Sequence, residues 1–313
     1  MLNALTIDVE DYFQVSAFEH LIDRRDWPGY ANRVGDSTRC LLDLLDNHSV
    51  KATFFVLGWV AERDPDLVRQ IHARGHEVGS HGYWHRLIYE QSPDEFRSDL
   101  RRSQKVLSDI LGEPVLLYRA PSFSITRNSQ WALEILAEEG FLIDSSIFPV
   151  IHDRYGMPGS ERYLHQIPTP SGTLWEFPPA TVALPKWSLP VGGGGYFRLF
   201  PFPLISTCLR WVNRTVGQPF VFYIHPWEID PGQPRLPGVS SLTWLRHSVN
   251  INRTEAKLDR LLSSFRFAPL STVIRQKERR ATVGRRQQSG DMEQGRVAPG
   301  APGPVASSAV TEH

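Results

Sequence analysis

Two groups of residues near the start of the chain have the types and spacing of a hydrolytic metal site. Asp8, Glu10 and Asp11 lie within the short stretch LTIDVEDYF, directly after apolar residues that predict a buried strand. Burying clustered carboxylates is costly unless a positive group pairs with them. His81 and His85 are four residues apart, which would put both imidazoles on one face of a helical turn. Two histidines and one carboxylate, with open positions for water, can hold a catalytic metal ion.

Three further polar residues follow apolar runs later in the chain. Arg119 follows VLLY, Asp144 stands in the stretch IDSS, and His225 ends the run VFYI before a proline. Taken singly, each of these residues is explained as well by a turn, a helix cap, a surface loop or the core. Five polar clusters at the ends of five predicted strands favour one shared site, because α/β barrels build their sites at the carboxyl ends of their strands.

Alternating strand and helix signals predict the elements that carry these clusters. Strands are predicted around Leu5, Lys51–Gly58, His76–Gly79, PVLLYRAP and FLIDSS, with helices at Ser37–Asp46, from about Asp64 to Gly75, from Ser92 to Gly112 and in NSQWALEILAEEGF. The third of these helices carries a predicted capping box, with Ser92 as N-cap, Pro93 after it and Glu95 at the third helical position. This alternation is typical of a parallel sheet wrapped by helices, as in a (β/α) barrel.

The pattern changes after Pro149. Residues 150–205 are rich in proline, glycine and aromatic residues, and we expect long loops and short strands there. A last strand is predicted in Pro219–Asp230, and NINRTEAKLDRLLSSF predicts a terminal helix. We therefore expect one domain over residues 1–272, with a loop-rich C-terminal part from about residue 200, and a disordered tail over 276–313.

Composition bears on the partners and the compartment of the protein. The 313 residues carry no formal net charge, so charge gives no case for a nucleic-acid partner. No apolar stretch is long enough to predict an integral membrane segment, and the start lacks a signal-peptide pattern. Cys40 and Cys208 have no ligand or redox spacing, and a reducing cytoplasm is the simplest expectation for the compartment.

The ordered set TIDVED, SHGYWH, RAPSF, DSS and IHPWE resembles the five motifs of the polysaccharide deacetylases, carbohydrate esterase family 4, and the strand ATFFVLG is also similar to that family. LTIDVEDYFQVSAFE, VGGGGYFR and the stretch beginning YIHPWEIDPGQPR resemble the subgroup associated with exosortase and PEP-CTERM exopolysaccharide loci. The resemblance spans residues 1–272 and implies a deformed (β/α) barrel, with a divalent metal that is usually zinc and can be cobalt.

The resemblance also implies roles for individual residues. It makes His81 and His85 metal ligands, with Glu10 as the favoured acidic ligand and Asp11 as the alternative. It makes Asp8 the general base, which Arg119 orients, and His225 the general acid, which Asp144 supports. It makes the Ser122 amide a contact for the oxyanion. Tyr196, in the glycine-rich loop, and Trp227 would contact the sugar.

The implied reaction is hydrolysis of acetamide groups on N-acetylhexosamine units of an exopolysaccharide or its lipid-linked precursor. Two alternatives remain open at the level of sequence. One is an amidohydrolase acting on a small cyclic amide such as allantoin, and the other is a carbohydrate-binding scaffold without activity. The complete motif set favours the deacetylase, since a protein that only binds sugar needs neither Asp8 nor His225.

Overall fold

The computed structural model describes residues 1–280 of the chain. It divides into two compact units, one formed by Met1–Val273 and one beginning at Ile274. Residues 274–280 are helical, so the first residues of the predicted tail, 276–280, form a helix. The rest of the predicted disordered tail, 281–313, lies outside the described residues.

The larger unit is built around one sheet, most of whose strands are parallel. The strands are β1 (Leu2–Val9), β2 (Thr53–Val56), β3 (Glu77–Ser80), β4 (Leu117–Tyr118), β5 (Ile143–Asp144), β6 (His165–Thr169), β7 (Gly172–Glu176), β8 (Thr181–Ala183), β9 (Ser188–Pro190), β10 (Val221–Ile224) and β11 (Arg266–Ala268). Their spatial order in the sheet is β10-β1-β2-β3-β4-β5-β7-β6, and β11 also pairs with β1. Within this sheet the β6–β7 pair is antiparallel, and β8 and β9 form a separate antiparallel hairpin.

The chain that leaves β7 joins one end of this sheet to the other. Pro179 forms a parallel bridge with Val221 of β10, and the Ala180 amide donates to the Val221 carbonyl at 3.0 Å. The side chain of Arg119, just after β4, reaches Thr6 on β1 at 2.6 Å. The parallel strands therefore surround a common interior, and the predicted deformed (β/α) barrel is confirmed.

Helices connect the strands and cover the outside of the barrel. They are α1 (Val34–Asn47), α2 (Gly58–Arg63), α3 (Pro65–Ala73), α4 (Pro93–Leu111), α5 (Trp131–Glu138), α6 (Gly194–Leu199), α7 (Phe202–Trp211), α8 (Ser241–Ser248) and α9 (Ile251–Ser264). The predicted capping box of α4 is present, with Ser92 and Glu95 each bonded to the other's backbone, and the helix ends at Gly112 in a left-handed conformation. Among residues 1–280, no helix combines the length and the apolar character that crossing a membrane requires.

Strand β1 shows how the sequence separates the core from the site. Ile7 and Val9 belong to the main hydrophobic core, whereas Thr6 and Asp8 alternate with them and contact Arg119. Successive side chains of a strand point to opposite faces, so one face of β1 is apolar and the other lines the interior. All four residues are at most 2% exposed.

Residues 150–205 contain the short strands that their composition predicts. The short strands form two hairpins, β6–β7 and β8–β9, and β7 pairs in parallel with β5 inside the main sheet. The predicted terminal helix is α9, and the chain then returns as β11 to pair with the first strand. The loop-rich extension therefore completes the barrel.

Candidate active site

The predicted polar residues lie at the carboxyl ends of the parallel strands. Asp8 is near the end of β1, His81 follows β3 directly, and Arg119 follows β4 directly. Asp144 ends β5, and His225 follows β10. Four of these side chains meet in the interior of the barrel, and Asp144 belongs to a separate arrangement.

Glu10, His81 and His85 form a compact donor set. One ligand atom from each lies within 4.8 Å of the others, and all three residues are buried. Glu10 Oε2 is 2.6 Å from His85 Nε2 and 3.8 Å from His81 Nε2, yet it accepts no hydrogen bond from any residue in 1–280. A buried carboxylate oxygen without a donor, facing two imidazole nitrogens, fits a divalent cation, and two histidines with one glutamate form a known catalytic zinc set.

The tautomer of His81 suits this role. Its Nδ1 lies 2.9 Å from the Arg119 carbonyl, which can only accept, so Nδ1 carries the proton and Nε2 keeps its lone pair. Burial lowers the pKa of His81 to about 4, with the neighbouring His85 adding to the effect. The ring is therefore neutral near pH 7, as a metal ligand must be.

The segment between the two histidines is an irregular loop, so the predicted helical turn is wrong. His85 has a φ of 51°, in the left-handed region. Arg24 donates from Nε to the Trp84 carbonyl at 2.7 Å and from Nη2 to the His85 carbonyl at 3.3 Å. Asp99 on α4 accepts from the Trp84 amide at 3.1 Å. A bent backbone, held by two side chains distant in sequence, brings His85 to the site.

Asp8 is held by a fully buried arginine, as the sequence predicts. Arg119 Nη1 donates to Asp8 Oδ1 at 2.8 Å and to Thr6 Oγ1 at 2.6 Å. Its Nε and Nη2 donate to the carbonyl and hydroxyl of Ser145. With its guanidinium fixed on both sides, Arg119 compensates the charge of Asp8 and leaves Oδ2 facing the site.

His225 lies between the predicted base and the predicted acidic ligand. Its Nε2 is 3.9 Å from Asp8 Oδ2 and 3.7 Å from Glu10 Oε1, and its Nδ1 is 3.0 Å from Glu228 Oε1. Burial favours the neutral ring, but the carboxylates of Glu10, Glu228 and Asp8 outweigh it and raise the pKa of His225 to about 9. The ring can therefore carry a proton that it is able to donate.

Glu228 is a site residue that sequence reasoning missed. It stands in the IHPWE motif three residues after His225, where a 3-10 turn places its carboxylate against the imidazole. Glu228 is fully buried, and Arg198 Nε lies 3.8 Å from its Oε1. The available signal was this spacing, because a turn after a strand brings residues three apart together.

Trp227 has a different position from the predicted sugar contact. Its Nε1 donates to Glu10 Oε1 at 3.1 Å, and its ring stacks on His225 at 5.1 Å and on His247 at 4.5 Å between centroids. Only 6% of the residue is exposed. The indole therefore orients the acidic member of the donor set from within the core.

Asp11, the alternative acidic ligand, caps a helix. Its Oδ2 accepts from the amides of Arg33 at 2.8 Å and Val34 at 3.0 Å, at the start of α1, and its Oδ1 accepts from the Tyr12 amide at 2.8 Å. Burial raises the pKa of Asp11 to about 6, and these amides partly offset the rise. The structure thus includes Glu10 in the donor set and places Asp11 outside it.

Asp144 also has partners other than the predicted one. Its Oδ1 accepts from the Ser146 hydroxyl, and it neighbours Glu176 in the register of β5 and β7. The Nδ1 of His225, which Asp144 was expected to support, is bonded to Glu228. The physical reason is proximity, since Glu228 lies on the same turn as the histidine.

Ser122 and Tyr196 lie on segments that border the site. Ser122 has a φ of 52° in the turn after Arg119, and its Oγ is 2.6 Å from Ser16 Oγ. Tyr196 is half-buried on α6, with its hydroxyl 3.3 Å from that of Tyr155. The glycine-rich stretch before it packs against β10, where the Gly192 carbonyl accepts from the Tyr223 amide at 2.7 Å.

Comparison with known proteins gives matches to both parts of the larger unit. Residues 28–139 match the family model described as polysaccharide deacetylase, and residues 145–275 match a model described as a domain of unknown function, DUF3473. A peptidoglycan-N-acetylglucosamine deacetylase of Bacillus cereus is 31% identical over 146 residues, covering 43% of this chain and 52% of that protein. A chitooligosaccharide deacetylase of Azorhizobium caulinodans is 27% identical over 183 residues, covering 53% of this chain and 86% of that protein.

A solved structure shows the same fold. The chain superposes on a crystal structure from Mycobacterium smegmatis that is named as a polysaccharide deacetylase. The TM-score is 0.59 at 22% identity, and the match covers 88% of this chain and 91% of that one. The fold is therefore the deformed (β/α) barrel of this class. The sequence similarity to polysaccharide deacetylases therefore rests on residues 28–139, which match the family model, and on the stretches that align with these relatives. The chain spans about half the length of the Bacillus cereus relative.

Proposed function

We propose that the protein is a metal-dependent N-deacetylase that removes acetyl groups from N-acetylhexosamine units of a glycan. One observation carries this proposal. A buried donor set of Glu10, His81 and His85 lies beside a carboxylate held by arginine and a histidine whose pKa is raised to about 9. Hydrolysis of an amide needs such a base and such an acid. The names of the relatives, which are deacetylases of N-acetylglucosamine glycans, support the substrate class.

Glu10, His81 and His85 would hold the divalent cation, for which zinc is the first candidate and cobalt the second. A bound cation would supply Lewis-acid chemistry, bringing the pKa of water to about 7 and polarising the acetamide carbonyl. Trp227, bonded to Glu10, and the Arg119 carbonyl, bonded to His81, fix two of the ligands in orientation. Such supporting contacts are a regular part of metal sites.

Asp8 acts as the general base in this proposal. Its Oδ1 is engaged by Arg119, and its Oδ2 is the oxygen that faces His225 at 3.9 Å. Oδ2 is therefore positioned to accept the proton of the attacking water as the carbon–oxygen bond forms. Arg119 prevents rotation of the carboxylate, so the same oxygen is presented throughout.

His225 acts as the general acid. Its Nδ1 donates to Glu228, which leaves the Nε2 proton directed at the interior, where the substrate nitrogen would lie. An amine is a poor leaving group unless it is protonated, so cleavage of the carbon–nitrogen bond requires this donation. The Ser122 amide, on the strained turn after Arg119, is the proposed donor to the oxygen that becomes negative during attack.

The proposed natural substrate is an exopolysaccharide or its lipid-linked precursor. The support is the resemblance of LTIDVEDYFQVSAFE, VGGGGYFR and YIHPWEIDPGQPR to the subgroup of exosortase and PEP-CTERM loci. The C-terminal part that carries the last two stretches also matches the domain of unknown function. Tyr196, half-buried beside the site, is the proposed aromatic contact for the sugar.

Acetate release from N-acetylglucosamine oligomers tests the proposal. The full chain is stripped of metal, given zinc or cobalt, and compared with Asp8→Asn and with the matched control Asp11→Asn. We expect metal to restore release, Asp8→Asn to lower kcat by about 10²- to 10⁴-fold, and Asp11→Asn to leave it nearly unchanged.

Two other outcomes would lead to different functions. One bound metal per chain without acetate release would indicate another amide substrate, which an assay with allantoin would examine. Absence of metal binding would contradict the donor set itself and favour a carbohydrate-binding scaffold. A glycan-binding assay would then show whether the protein still recognises sugar.

A further inference from the structure

Two carboxyl groups that the proposed mechanism does not use lie together at the ends of β5 and β7. Asp144 ends β5 and Glu176 ends β7, and the two residues are register partners in the parallel pair. Both are fully buried, with no solvent exposure. Two carboxylates so close and so deep cannot both be ionised without a counter-charge.

The hydrogen bonds leave one oxygen of each group without a donor. Asp144 Oδ1 accepts from the Ser146 hydroxyl, and Glu176 Oε1 accepts from the Ile147 amide at 3.2 Å. Asp144 Oδ2 and Glu176 Oε2 are buried, and no donor reaches them from anywhere in residues 1–280. The two carboxyl groups lie within hydrogen-bonding reach of each other, so a single proton held between them would serve both.

The charged and titratable groups around the pair do not remove this requirement. Arg119 faces Asp144, but its guanidinium already donates to Asp8, Thr6 and Ser145. Tyr118 faces Asp144 as well, and burial raises its pKa well above its usual range, so it remains neutral. Burial and the charge of Asp144 likewise raise the pKa of Glu176 well above its usual range.

A short chain of hydrogen bonds joins the carboxyl pair to the turn from Arg119 to Ser122. Ser146, whose hydroxyl donates to Asp144, accepts from the Ala120 amide at 2.8 Å. Its neighbour Ser145 accepts from Arg119 through both its carbonyl and its hydroxyl. Arg119, which holds Asp8, and Ala120, which leads to Ser122, are therefore bonded to Ser145 and Ser146. Ser146 is in turn bonded to the carboxyl pair.

We propose that Asp144 and Glu176 share a single proton and, as positioning residues, fix the turn from Arg119 to Ser122 through Ser145 and Ser146. Of these two parts, the positioning rests on the proposed deacetylase function. The shared proton does not, because it follows from burial and hydrogen bonding alone. The two parts therefore need separate measurements.

Infrared spectroscopy of the full chain measures the shared proton directly. The carbonyl stretch of a protonated carboxyl group is distinct from carboxylate bands, so the difference between wild type and variant isolates this pair from other carboxyl groups. We expect near pH 7 a protonated-carboxyl band that both Glu176→Gln and Asp144→Asn remove, because an amide supplies the donor and leaves the other group ionised. If the band persists in both variants, the two groups do not share a proton.

The pH dependence of stability gives a signed second test. Glu176 has a folded pKa above its ordinary value of 4.5, so wild type takes up a proton on folding and loses stability as pH rises from 4.5 through the folded pKa. Glu176→Gln needs no proton, so its denaturation midpoint should rise relative to wild type over that range. The exposed control Glu255→Gln should show no such trend. A constant difference between Glu176→Gln and wild type would contradict the inference.

Ser146→Ala tests the positioning part. It removes the acceptor for Ala120 and leaves both carboxyl groups, so we expect kcat to fall about tenfold or more with little change in KM and with bound metal retained. Unchanged kcat would contradict the positioning role. If wild type released no acetate, the deacetylase proposal would fail while the infrared and stability results would still decide the shared proton.

Discussion

The two segments with family matches contribute different parts of the site. Residues 28–139, which match the deacetylase model, carry two metal-ligand candidates and the arginine that holds the base, whereas residues 145–275, which match a domain of unknown function, carry the proposed acid and most of the buried groups around it. The first set is His81, His85 and Arg119, and the second is His225, Glu228, Trp227 and Arg198. Asp8 and Glu10 precede both segments, on and just after β1.

The two segments therefore supply different functions of the proposed site. In the proposed mechanism, metal binding and water activation depend on residues on or just after strands β1, β3 and β4, whereas protonation of the leaving group depends on the C-terminal segment. Substitutions in the two segments should therefore produce different losses. Substitution of the two histidines in the first segment should lower metal content, whereas substitutions in the second segment should lower turnover in a protein that still holds its metal, except where a C-terminal residue touches a ligand directly.

The largest expected effect comes from His85→Ala. Removing a ligand from the donor set should reduce metal affinity by more than the roughly 10- to 100-fold typical of a supporting residue. Metal-dependent acetate release should disappear with it. Metal content after dialysis measures the change, and the partly exposed His72→Ala serves as the control. If His85→Ala retained one metal ion per chain, His85 would not be a metal ligand.

Glu228→Gln should lower turnover without loss of metal. The amide cannot compensate the charge of protonated His225, so we expect kcat to fall by about 10²- to 10⁴-fold, as for other carboxylates that orient a catalytic histidine. KM should change little, and Glu228→Asp should recover part of the rate. Steady-state kinetics with metal analysis on each variant makes the measurement. A lowered metal content in Glu228→Gln would break the proposed division.

Trp227→Phe should be an exception that sharpens the comparison. Phenylalanine keeps the ring between His225 and His247 but loses the N–H that donates to Glu10. We expect metal affinity to fall by about 10- to 100-fold, with kcat at saturating metal much less affected. Competition with a chelator measures the affinity. Equal affinity in wild type and variant would show that this contact does not support the ligand.

Asp11→Ala should have the smallest effect on the site and a clear one on stability. The variant loses the cap at the start of α1, which costs about 0.5–2 kcal/mol of unfolding free energy. Metal affinity should stay at the wild-type level, because Asp11 lies outside the donor set. Denaturant unfolding and metal titration together test both statements, and a loss of metal would restore Asp11 as a ligand candidate.

Much of the fold could be predicted from the sequence because its signals are local. Ser92, Pro93 and Glu95 mark the start of α4, and alternating apolar runs mark the strands that carry the site. Strand β7 could not be predicted as a member of the main sheet, since its pairing with β5 is set by packing and not by its own residues. The same limit applies to the bridge that brings the two ends of the sheet together.

The site was predicted where a residue type and a strand end coincide. Asp8, Arg119 and His225 met both conditions, and the structure brings them together with Glu10, His81 and His85. The choice between Glu10 and Asp11 needed the backbone beyond the strand, which directs one carboxylate inward and the other to a helix start. Arg24, Asp99 and Glu176 carry no local signal, because their partners are far away in the chain.

The pairing of β1 has a consequence for the order of events during synthesis. β1 contains Asp8 and precedes Glu10, yet two of its neighbours are β10 and β11, and Thr6 bonds to a carbonyl 216 residues later in the chain. At about 5–20 residues per second, the ribosome delivers those partners tens of seconds after β1 emerges. Strand β1 therefore cannot complete its pairing until β10 and β11 have been made, and the proposed catalytic centre of the nascent chain is incomplete until then.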